Sequence, residues 1–343
     1  MGRSTRSGEV QGELALIEAI RRRAPSAYGA VRLGIGDDCA VLRPKAGHEI
    51  CVTTDFSLEG RHFRREWHSP ESVGHRCLAR GLSDLAAMGA EPLGVFLSVA
   101  VPRSLAGRWV ERFFDGFLAL ARKQGVSLAG GDTAESPTVT VGREGGREGL
   151  IAADIVAVGQ IPRGGAVLRS GARPGDVVYV TGALGGAAAD LQAVAKNPRK
   201  FSKLTGGQGE HPHFFPQPRV AVGRRLRKLV HAMIDISDGL STDLTHLCRS
   251  SDVAASIDEA ALPIHPLAAE SDSGLELALH GGEDYELLFA ASPDVRIPRR
   301  LAGVAISKIG VMRKASRGQP LIALKGNDGR HISVEPGGWE HFR

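Results

Sequence analysis

Acidic residues recur beside glycine, serine or threonine along this chain, a pattern typical of sites for metal ions and phosphate groups. The first pair lies in Gly34-Ile35-Gly36-Asp37-Asp38, where two glycines permit a sharp turn after a predicted strand. Two adjacent carboxylates repel each other and favour solvent or a cation. The pair therefore predicts a metal site, with a turn that contains a helix-capping aspartate as the alternative.

Three further acidic positions follow in the N-terminal half. A β-branched run ends in Thr53-Thr54-Asp55, whose oxygens are the hard ligands that magnesium prefers. Asp84 lies on an apolar helical stretch, where an unpaired carboxylate costs several kcal/mol, so it is either functional or part of a structural ion pair. Asp132 follows Gly130-Gly131, and a glycine pair lets the backbone approach a phosphate while the acid holds the ion that the phosphate shares.

The C-terminal half carries a second acidic group. The apolar run before Asp235-Ile236-Ser237-Asp238 predicts a strand that delivers two acids and a serine to a helix start, where backbone N–H groups favour phosphate. An N-cap accounts for one of these three polar residues but not for all of them. Glu283 follows a glycine pair, and His62 lies in a glycine-containing loop. A lone loop histidine is usually solvated surface unless its neighbours make it a site.

If these acids lie in one cleft, their mutual repulsion requires several divalent cations, and the cations require an anionic partner such as a polyphosphate. This combination predicts phosphoryl transfer. The sequence contains no G-x-x-x-x-G-K-[ST] loop and no protein-kinase catalytic loop, which argues against both of those folds. HExxH and G-x-S-x-G are absent as well. Residues 182–187 superficially resemble a dinucleotide loop without its spacing, and a tight strand-to-helix turn explains them equally well.

Apolar periodicity predicts the elements that must position these groups. Helices are expected at residues 12–23, 70–88 and 109–125 and after residue 239, and strands at 49–55, 93–101, 126–129, 151–161, 177–181 and 287–290. Residues 142–149 are expected to form a hairpin tip, and residues 196–218 a long irregular connection. A change of composition at 162–165 predicts a domain boundary that divides the chain into residues 1–161 and 162–343.

The composition is that of an ordinary soluble protein long enough for two domains, with 42% hydrophobic and 24% charged residues. The net charge of +5 suits anionic small substrates, whereas 5% aromatic residues without basic-aromatic interleaving argue against nucleic-acid binding. No apolar run reaches the roughly 18 residues of a spanning helix, and the polar start lacks a signal peptide, so we expect a cytoplasmic protein without membrane contact. The four cysteines form no CxxC pair and are expected to be buried thiols.

Seven segments together resemble the thiamine-monophosphate kinase family, in order from about residue 12 to residue 342. They are Gly34-Ile-Gly-Asp-Asp38, Thr53-Thr-Asp55 with His62, Leu82-Ser-Asp-Leu-Ala-Ala-Met-Gly89, Gly130-Gly-Asp-Thr133, Arg169-Ser-Gly-Ala172, Ile234-Asp-Ile-Ser-Asp-Gly-Leu240 and Gly281-Gly-Glu-Asp-Tyr-Glu-Leu287. The family is part of the superfamily of aminoimidazole-ribonucleotide synthetase and selenophosphate synthetase. Two features depart from its pattern: Gly165 replaces a frequent arginine, and the 142–149 loop is longer than usual.

The resemblance implies a two-domain α/β fold of the aminoimidazole-ribonucleotide synthetase-like type, mixed α+β in character. Its N-terminal domain would dimerise through its sheet, and its C-terminal α/β domain would complete the ATP cleft. The matching motifs make the magnesium ligands Asp37, Thr53, Thr54, Asp55, Asp84, Asp132, Asp235 and Asp238. The implied ATP contacts are Gly131, Asp132, Arg169 and Ser237. The implied thiamine phosphate contacts are His62, Glu283 and Trp339, whose indole suits stacking on a cationic heterocycle.

The implied reaction is in-line transfer of the γ-phosphoryl group of ATP to thiamine monophosphate, which gives thiamine diphosphate and ADP. No protein base is assigned, because the acceptor oxygen is already ionised and the metal ions neutralise the repulsion between two anions. One alternative is another ATP-using member of the superfamily with a different acceptor, which the Thr-Thr-Asp motif, His62 and Trp339 disfavour. The other is a catalytically silent nucleotide-binding dimer, which the complete set of acids disfavours.

Overall fold

A four-stranded sheet with helices packed against it forms the N-terminal half, in a computed structural model that describes residues 12–24, 29–137, 139–140, 146–147, 149–205 and 210–339. Its elements are α1 (Glu13–Arg23), β1 (Val31–Leu33), β2 (Val41–Leu42), β3 (His48–Leu58), α2 (Pro70–Ala87), β4 (Glu91–Val101), α3 (Arg108–Gln124), β5 (Leu128–Glu135), β6 (Val139–Thr140), β7 (Gly146–Arg147) and β8 (Ala152–Pro162). The sheet order is β3-β8-β4-β5, and only the β4–β5 pair is parallel. β3 and β5 are therefore the two edges of this sheet.

An eight-stranded sheet forms the C-terminal half. Its elements are β9 (Val177–Thr181), α4 (Gly186–Lys196), α5 (Pro198–Phe201), α6 (Val220–Leu226), β10 (Ala232–Ile236), α7 (Leu240–Ser251), β11 (Val253–Asp258), α8 (Pro266–Ala269), α9 (Gly274–His280), β12 (Glu286–Ala291), β13 (Arg300–Leu301), β14 (Val304–Lys314), β15 (Ile322–Lys325) and β16 (His331–Ser333). The order is β10-β12-β9-β14-β11-β15-β16, with β13 paired to β14. β10 and β12 are buried along their whole length, which explains their continuous apolar sequences.

The two halves meet where α6 packs on α2. A Cβ atom at Gly223 of α6 would lie 2.0 Å from the carbonyl oxygen of Ala86 in α2, so only glycine permits this approach. Val220 and Leu226 of α6 belong to the same hydrophobic core as Leu82 of α2. Helix α2 is therefore shared by both halves, and its polar side chains Arg80 and Asp84 line the cleft between them.

The two-domain α/β fold implied by the resemblance is confirmed, and α2 begins as predicted, with Ser69 accepting a hydrogen bond from the Ser72 amide. Three local predictions need correction. The strand expected at 126–129 extends as β5 to Glu135, so Asp132 lies within a strand. The 196–218 connection contains α5 and a buried cluster of Phe201, Phe214 and Phe215. Cys39 is exposed, whereas Cys77 and Cys248 are buried as expected.

The expected hairpin tip at 142–149 falls largely outside the described residues, although β7, which lies within that range, pairs with β6 before it. Within the described part of the chain, no helix has the length and apolar character needed to cross a bilayer.

Candidate active site

A cavity of about 400 Å³ opens between the two halves. Its N-terminal wall comes from β3, the loop that follows it, and α2; its C-terminal wall comes from the β10–α7 turn, the segment before β12, and Trp339. It brings together eight of the predicted site residues: Asp55, His62, Asp84, Asp235, Ser237, Asp238, Glu283 and Trp339. The cavity is therefore where we place the candidate active site.

Asp84 and Asp235 face each other across the domain boundary. Thr53 donates a hydrogen bond to Asp84, and Ser83, the neighbour of Asp84 on α2, donates one of 2.7 Å to Asp235. Burial, followed by the charge of Asp84, raises the pKa of Asp235 to about 7. Burial also raises the pKa of Asp84, and the charge of Asp55 adds to the effect. Two carboxylates with raised pKa values indicate a site where negative charge lacks full compensation.

This donor set fits a hard divalent cation. Among the described residues, no group of three or more His, Cys, Asp or Glu side chains is arranged to hold a metal ion by itself. Magnesium typically binds through one or two carboxylates and completes its shell with water and substrate phosphates. Asp84 and Asp235 match that partial shell, so an ion at this position would need a phosphorylated ligand to complete its coordination.

The acidic turn after β10 is held in shape by Asp243, a residue that the sequence analysis missed. Its Oδ2 accepts hydrogen bonds of 3.1 Å from the amides of Ser237, Asp238 and Gly239. Three amides that converge on one buried carboxylate fix the turn and so direct the side chains of Ser237 and Asp238 into the cavity. The signal in the sequence was an acid on the apolar face of α7, four residues after Gly239.

Two arginines one helical turn apart on α2 were also missed. Arg80 donates a 2.7 Å hydrogen bond to Asp55, and buried Arg76 donates one of 2.6 Å to Glu283. The charge of Arg76 and a hydrogen bond from His213 hold the pKa of Glu283 well below its usual range despite its burial. The i, i+4 spacing of two arginines on an otherwise buried helix was the available signal.

The turn that carries Glu283 is strained and is tied to the acidic turn. Glu283 and Tyr285 have φ angles of 67° and 50°, a region that non-glycine residues rarely occupy. The Glu283 amide donates a 2.7 Å hydrogen bond to the Ser237 carbonyl, and the Tyr285 amide donates one of 2.9 Å to that of Ile236. These bonds couple the position of Glu283 to that of the acidic turn.

The structure places other predicted residues outside this cavity. Asp37 is exposed beside the β1–β2 hairpin. Gly131 and Asp132 line a separate apolar pocket of about 100 Å³ at the edge strand β5. At roughly 4.8 Å per strand, three strand spacings separate this edge from the edge strand that carries Asp55. Within one protomer, Asp55 and Asp132 are therefore too far apart to share an ion.

Thr54 and Arg169 also lie outside the cavity lining. Because side chains alternate along β3, the Thr54 hydroxyl points to the opposite face of the sheet from Thr53 and Asp55. Arg169 is exposed, and its positive charge partly opposes the rise in the pKa values of Asp84 and Asp235, so it lies close to the acid pair.

The glycine-rich run at 182–187 is a strand-to-helix turn whose helix start is already occupied. The amides of Gly185 and Ala187 donate hydrogen bonds of 2.6 and 3.2 Å to the carboxyl group of Asp284. Burial raises the pKa of Asp284 to about 7. A protein carboxyl group thus fills the place that a dinucleotide phosphate would take.

Comparison with known proteins identifies relatives of both halves. Residues 36–161 match the N-terminal domain of AIR synthase related protein, and residues 173–333 match its C-terminal domain. A thiamine-monophosphate kinase from Escherichia coli strain K12 is 35% identical over 339 residues, which cover 96% of this chain and 98% of that relative.

Solved structures agree with the sequence matches. A crystal structure of thiamine-monophosphate kinase from Stenotrophomonas maltophilia K279a has a TM-score of 0.75 and 34% identity, and the match covers 93% of this chain and 98% of that one. AaThiL, solved in complex with AMPPCP and TMP, has a TM-score of 0.71 and 27% identity, with 99% and 100% covered.

Proposed function

The chain belongs to the thiamine-monophosphate kinase family, and from this membership we propose that the cavity between its halves binds thiamine monophosphate for phosphorylation by ATP. The chain is an ATP-dependent phosphotransferase, and its products are thiamine diphosphate and ADP. The lining of the cavity supports this location, because it contains both the Asp84–Asp235 pair and aromatic side chains suited to a flat cationic substrate.

Magnesium is the cofactor that the chemistry of the acids supports. The proposed ligands are Asp37, Thr53, Thr54, Asp55, Asp84, Asp132, Asp235 and Asp238. Asp55, Asp84, Asp235 and Asp238 line the cavity, and their oxygens are hard donors. Magnesium bound there would neutralise charge on the phosphates of both substrates. Thr54 would contribute through its carbonyl oxygen, because its side chain points to the other face of the sheet.

Substrate contacts are proposed in the cavity and beside it. His62, Glu283 and Trp339 of the cavity lining would bind thiamine monophosphate. Ser237 of the lining would bind ATP, together with Arg169 outside it and Gly131 and Asp132 in the separate pocket on β5. Trp339 lines the cavity and is 52% exposed, and an indole at this position suits stacking on the thiazolium ring. The positive charge of Arg169 beside the acid pair supports a role in binding phosphate.

The chain's own residues serve mainly to position the substrates and to stabilise charge. The acceptor phosphate needs no deprotonation, so no side chain is assigned as a base. Asp243 fixes the acidic turn, and Arg76 fixes Glu283. With both substrates held in line, the remaining barrier is mainly the repulsion between two anions, which cationic groups in the cavity reduce.

A homodimer is proposed through the outer face of the N-terminal sheet. Ile50, Val52 and Phe56 alternate on one face of β3 and are 48%, 61% and 59% exposed. A row of large apolar side chains on a sheet is typical of a surface that another protein covers. The use of ATP supports a cytoplasmic location.

An acceptor panel tests the proposed function. Purified protein is incubated with ATP and magnesium and, in parallel, with thiamine monophosphate, thiamine, AMP or inorganic phosphate. We expect a diphosphate product from thiamine monophosphate alone. Preferred phosphorylation of another acceptor would support the alternative, an ATP-using superfamily member with a different substrate.

A further inference from the structure

A chain of buried hydrogen-bonding groups ends on Glu283. The Nδ1 atom of His213 lies 3.1 Å from Glu283 Oε2, and its Nε2 atom lies 3.0 Å from Nε2 of His68. The Nδ1 atom of His68 lies 3.2 Å from the amide nitrogen of Arg64 and 3.1 Å from its carbonyl oxygen, so the backbone at Arg64 can pair with either tautomer of His68. Both imidazoles are buried, and neither is a residue that the family motifs mark.

Glu283 at Nδ1 and His68 at Nε2 together determine which nitrogen of His213 carries the proton. Burial lowers the pKa of His213 and lowers that of His68 to about 2, so each ring is neutral and carries one N–H. His213 Nδ1 lies 3.1 Å from Oε2 of Glu283 and 3.2 Å from Nη1 of Arg76. Because that Nη1 already donates to the His213 carbonyl, we assign Nδ1 as the donor to the Glu283 carboxylate. The Nε2 atom of His213 then accepts a hydrogen bond from His68 Nε2, which leaves His68 Nδ1 to accept from the Arg64 amide.

His213 is held in this position by the segment that contains it. Its carbonyl accepts a hydrogen bond from Arg76, and its amide donates one of 3.3 Å to Asp190. Three residues later, the Pro216 carbonyl lies 2.7 Å from Nε2 of His75 on α2. The segment before α6 thus leaves the C-terminal half, docks on α2 and inserts one imidazole into the cavity wall.

From this geometry we infer that His213, with its tautomer set by His68, is a positioning residue that orients the Glu283 carboxylate toward the acceptor substrate. Arg76 and Arg80 contact only Oε1 of Glu283, whereas His213 contacts Oε2. Without His213, the carboxylate would lose the contact that fixes its rotation. The inference rests on the proposed binding of thiamine monophosphate in this cavity.

Paired variants separate orientation from packing. His213→Leu removes the donor, whereas the side-chain amide of His213→Asn can take the place of Nδ1–H. We expect His213→Leu to raise the KM for thiamine monophosphate roughly tenfold or more, the scale for a lost hydrogen bond to a charged group, with the KM for ATP within about twofold of wild type. His213→Asn should restore most of the loss. His211→Gln is the matched control on the same segment, since His211 contacts Asp190 rather than Glu283.

A second pair of variants changes His68, which is one imidazole further from Glu283 than His213. His68→Leu removes the donor to His213 Nε2, and His68→Gln supplies an amide donor instead. In ¹⁵N NMR spectra of the substrate-free protein, His213 should be the Nδ1–H tautomer in wild type and in His68→Gln, and should lose that preference in His68→Leu. These spectra test the arrangement of the two imidazoles even if a His213 variant fails to fold.

The inference would be overturned by an Nε2–H tautomer of His213 in wild type, or by equal losses for Leu and Asn at position 213 that affect both substrates alike. A wild-type protein that does not phosphorylate thiamine monophosphate contradicts the proposed function instead, and the NMR spectrum still decides the arrangement of the imidazoles.

Discussion

Arg80 donates a 2.7 Å hydrogen bond to Asp55, so a proposed magnesium ligand is paired with a cation of the protein itself. The Nη1 atom of the same arginine lies 3.7 Å from Oε1 of Glu283. An ion that binds Asp55 must therefore compete with Arg80. The displaced guanidinium would remain beside Glu283, where it could contact the acceptor phosphate.

The first prediction concerns this competition. In Arg80→Gln, Asp55 loses its paired cation, so magnesium should bind the nucleotide-free protein about 3- to 10-fold more tightly, as expected for loss of one partly buried ion pair. Isothermal titration calorimetry with magnesium chloride measures the change. Arg61→Gln, which removes the same charge from another residue of the cavity lining, is the matched control. Unchanged or weaker magnesium binding in Arg80→Gln would show that no such competition exists.

The second prediction concerns Asp55 itself. Asp55→Asn keeps the shape of the side chain but removes the charge that holds the ion, so turnover should fall by at least about 100-fold while the melting temperature stays close to that of wild type. Initial rates with thiamine monophosphate and thermal unfolding curves provide both readouts. Asp294→Asn, at an exposed position far from the cavity, should be neutral. Full activity of Asp55→Asn would remove this residue from the metal site.

The third prediction concerns the indole of Trp339. Trp339→Ala removes a ring face available to a cationic heterocycle, which should raise the KM for thiamine monophosphate roughly 5- to 30-fold. The KM for ATP should stay near the wild-type value, and Trp339→Phe should lie between the two. Steady-state kinetics with each substrate varied in turn provide the comparison. Equal effects on both substrates would refute the stacking role.

The fourth prediction concerns the exposed face of β3. Phe56→Lys places a charge in the proposed dimer interface and should yield monomers, because a buried unpaired charge costs several kcal/mol. Sedimentation velocity gives the oligomeric state. The matched control is Ile332→Lys, which alters a side chain of similar exposure, 54%, in the other half. A monomeric wild-type protein would contradict the proposed dimer. A Phe56→Lys protein that remains dimeric would show that the interface lies elsewhere.

The fifth prediction concerns His75, whose Nε2 contacts the Pro216 carbonyl. Burial lowers its folded-state pKa from 6.5 to about 4, and the charges of Lys123 and Arg76 add to the shift. The unfolded chain binds the proton more tightly, so this contribution to stability is present above pH 6.5 and is lost as the pH falls toward 4. A shift of this size corresponds to about 3 kcal/mol at pH 4. Urea unfolding of wild type and His75→Gln between pH 7 and 4 should diverge by that order, and parallel curves would contradict the prediction.

The family resemblance implied the fold, and apolar periodicity predicted most of the elements because its signals are local. The cap at Ser69 and the apolar run of β10 can both be read from neighbouring residues. The supporting contacts could not be predicted in this way. His213 reaches Glu283 across 70 positions of sequence, and Arg76 reaches it across 207, so only the tertiary packing of α2 against the C-terminal half reveals them.

The sequence also could not show how the acids divide in space. Asp55 and Asp132 are similar in sequence context, each near glycine or threonine at or just after the end of a predicted strand, yet they lie on opposite edges of one sheet. Strand order is a non-local property that neither motif encodes. Asp55, Asp84, Asp235 and Asp238 line one cavity, whereas Asp37 and Asp132 lie outside its lining.

The most direct measurement of the central claim is a ³¹P NMR time course of the wild-type protein with thiamine monophosphate, ATP and magnesium. The account predicts that ATP and the thiamine monophosphate resonance disappear together, that ADP and the diphosphate resonances of thiamine diphosphate replace them in equal amounts, and that EDTA stops the reaction. ATP consumed with release of inorganic phosphate while thiamine monophosphate persists, or no turnover at all, would contradict it.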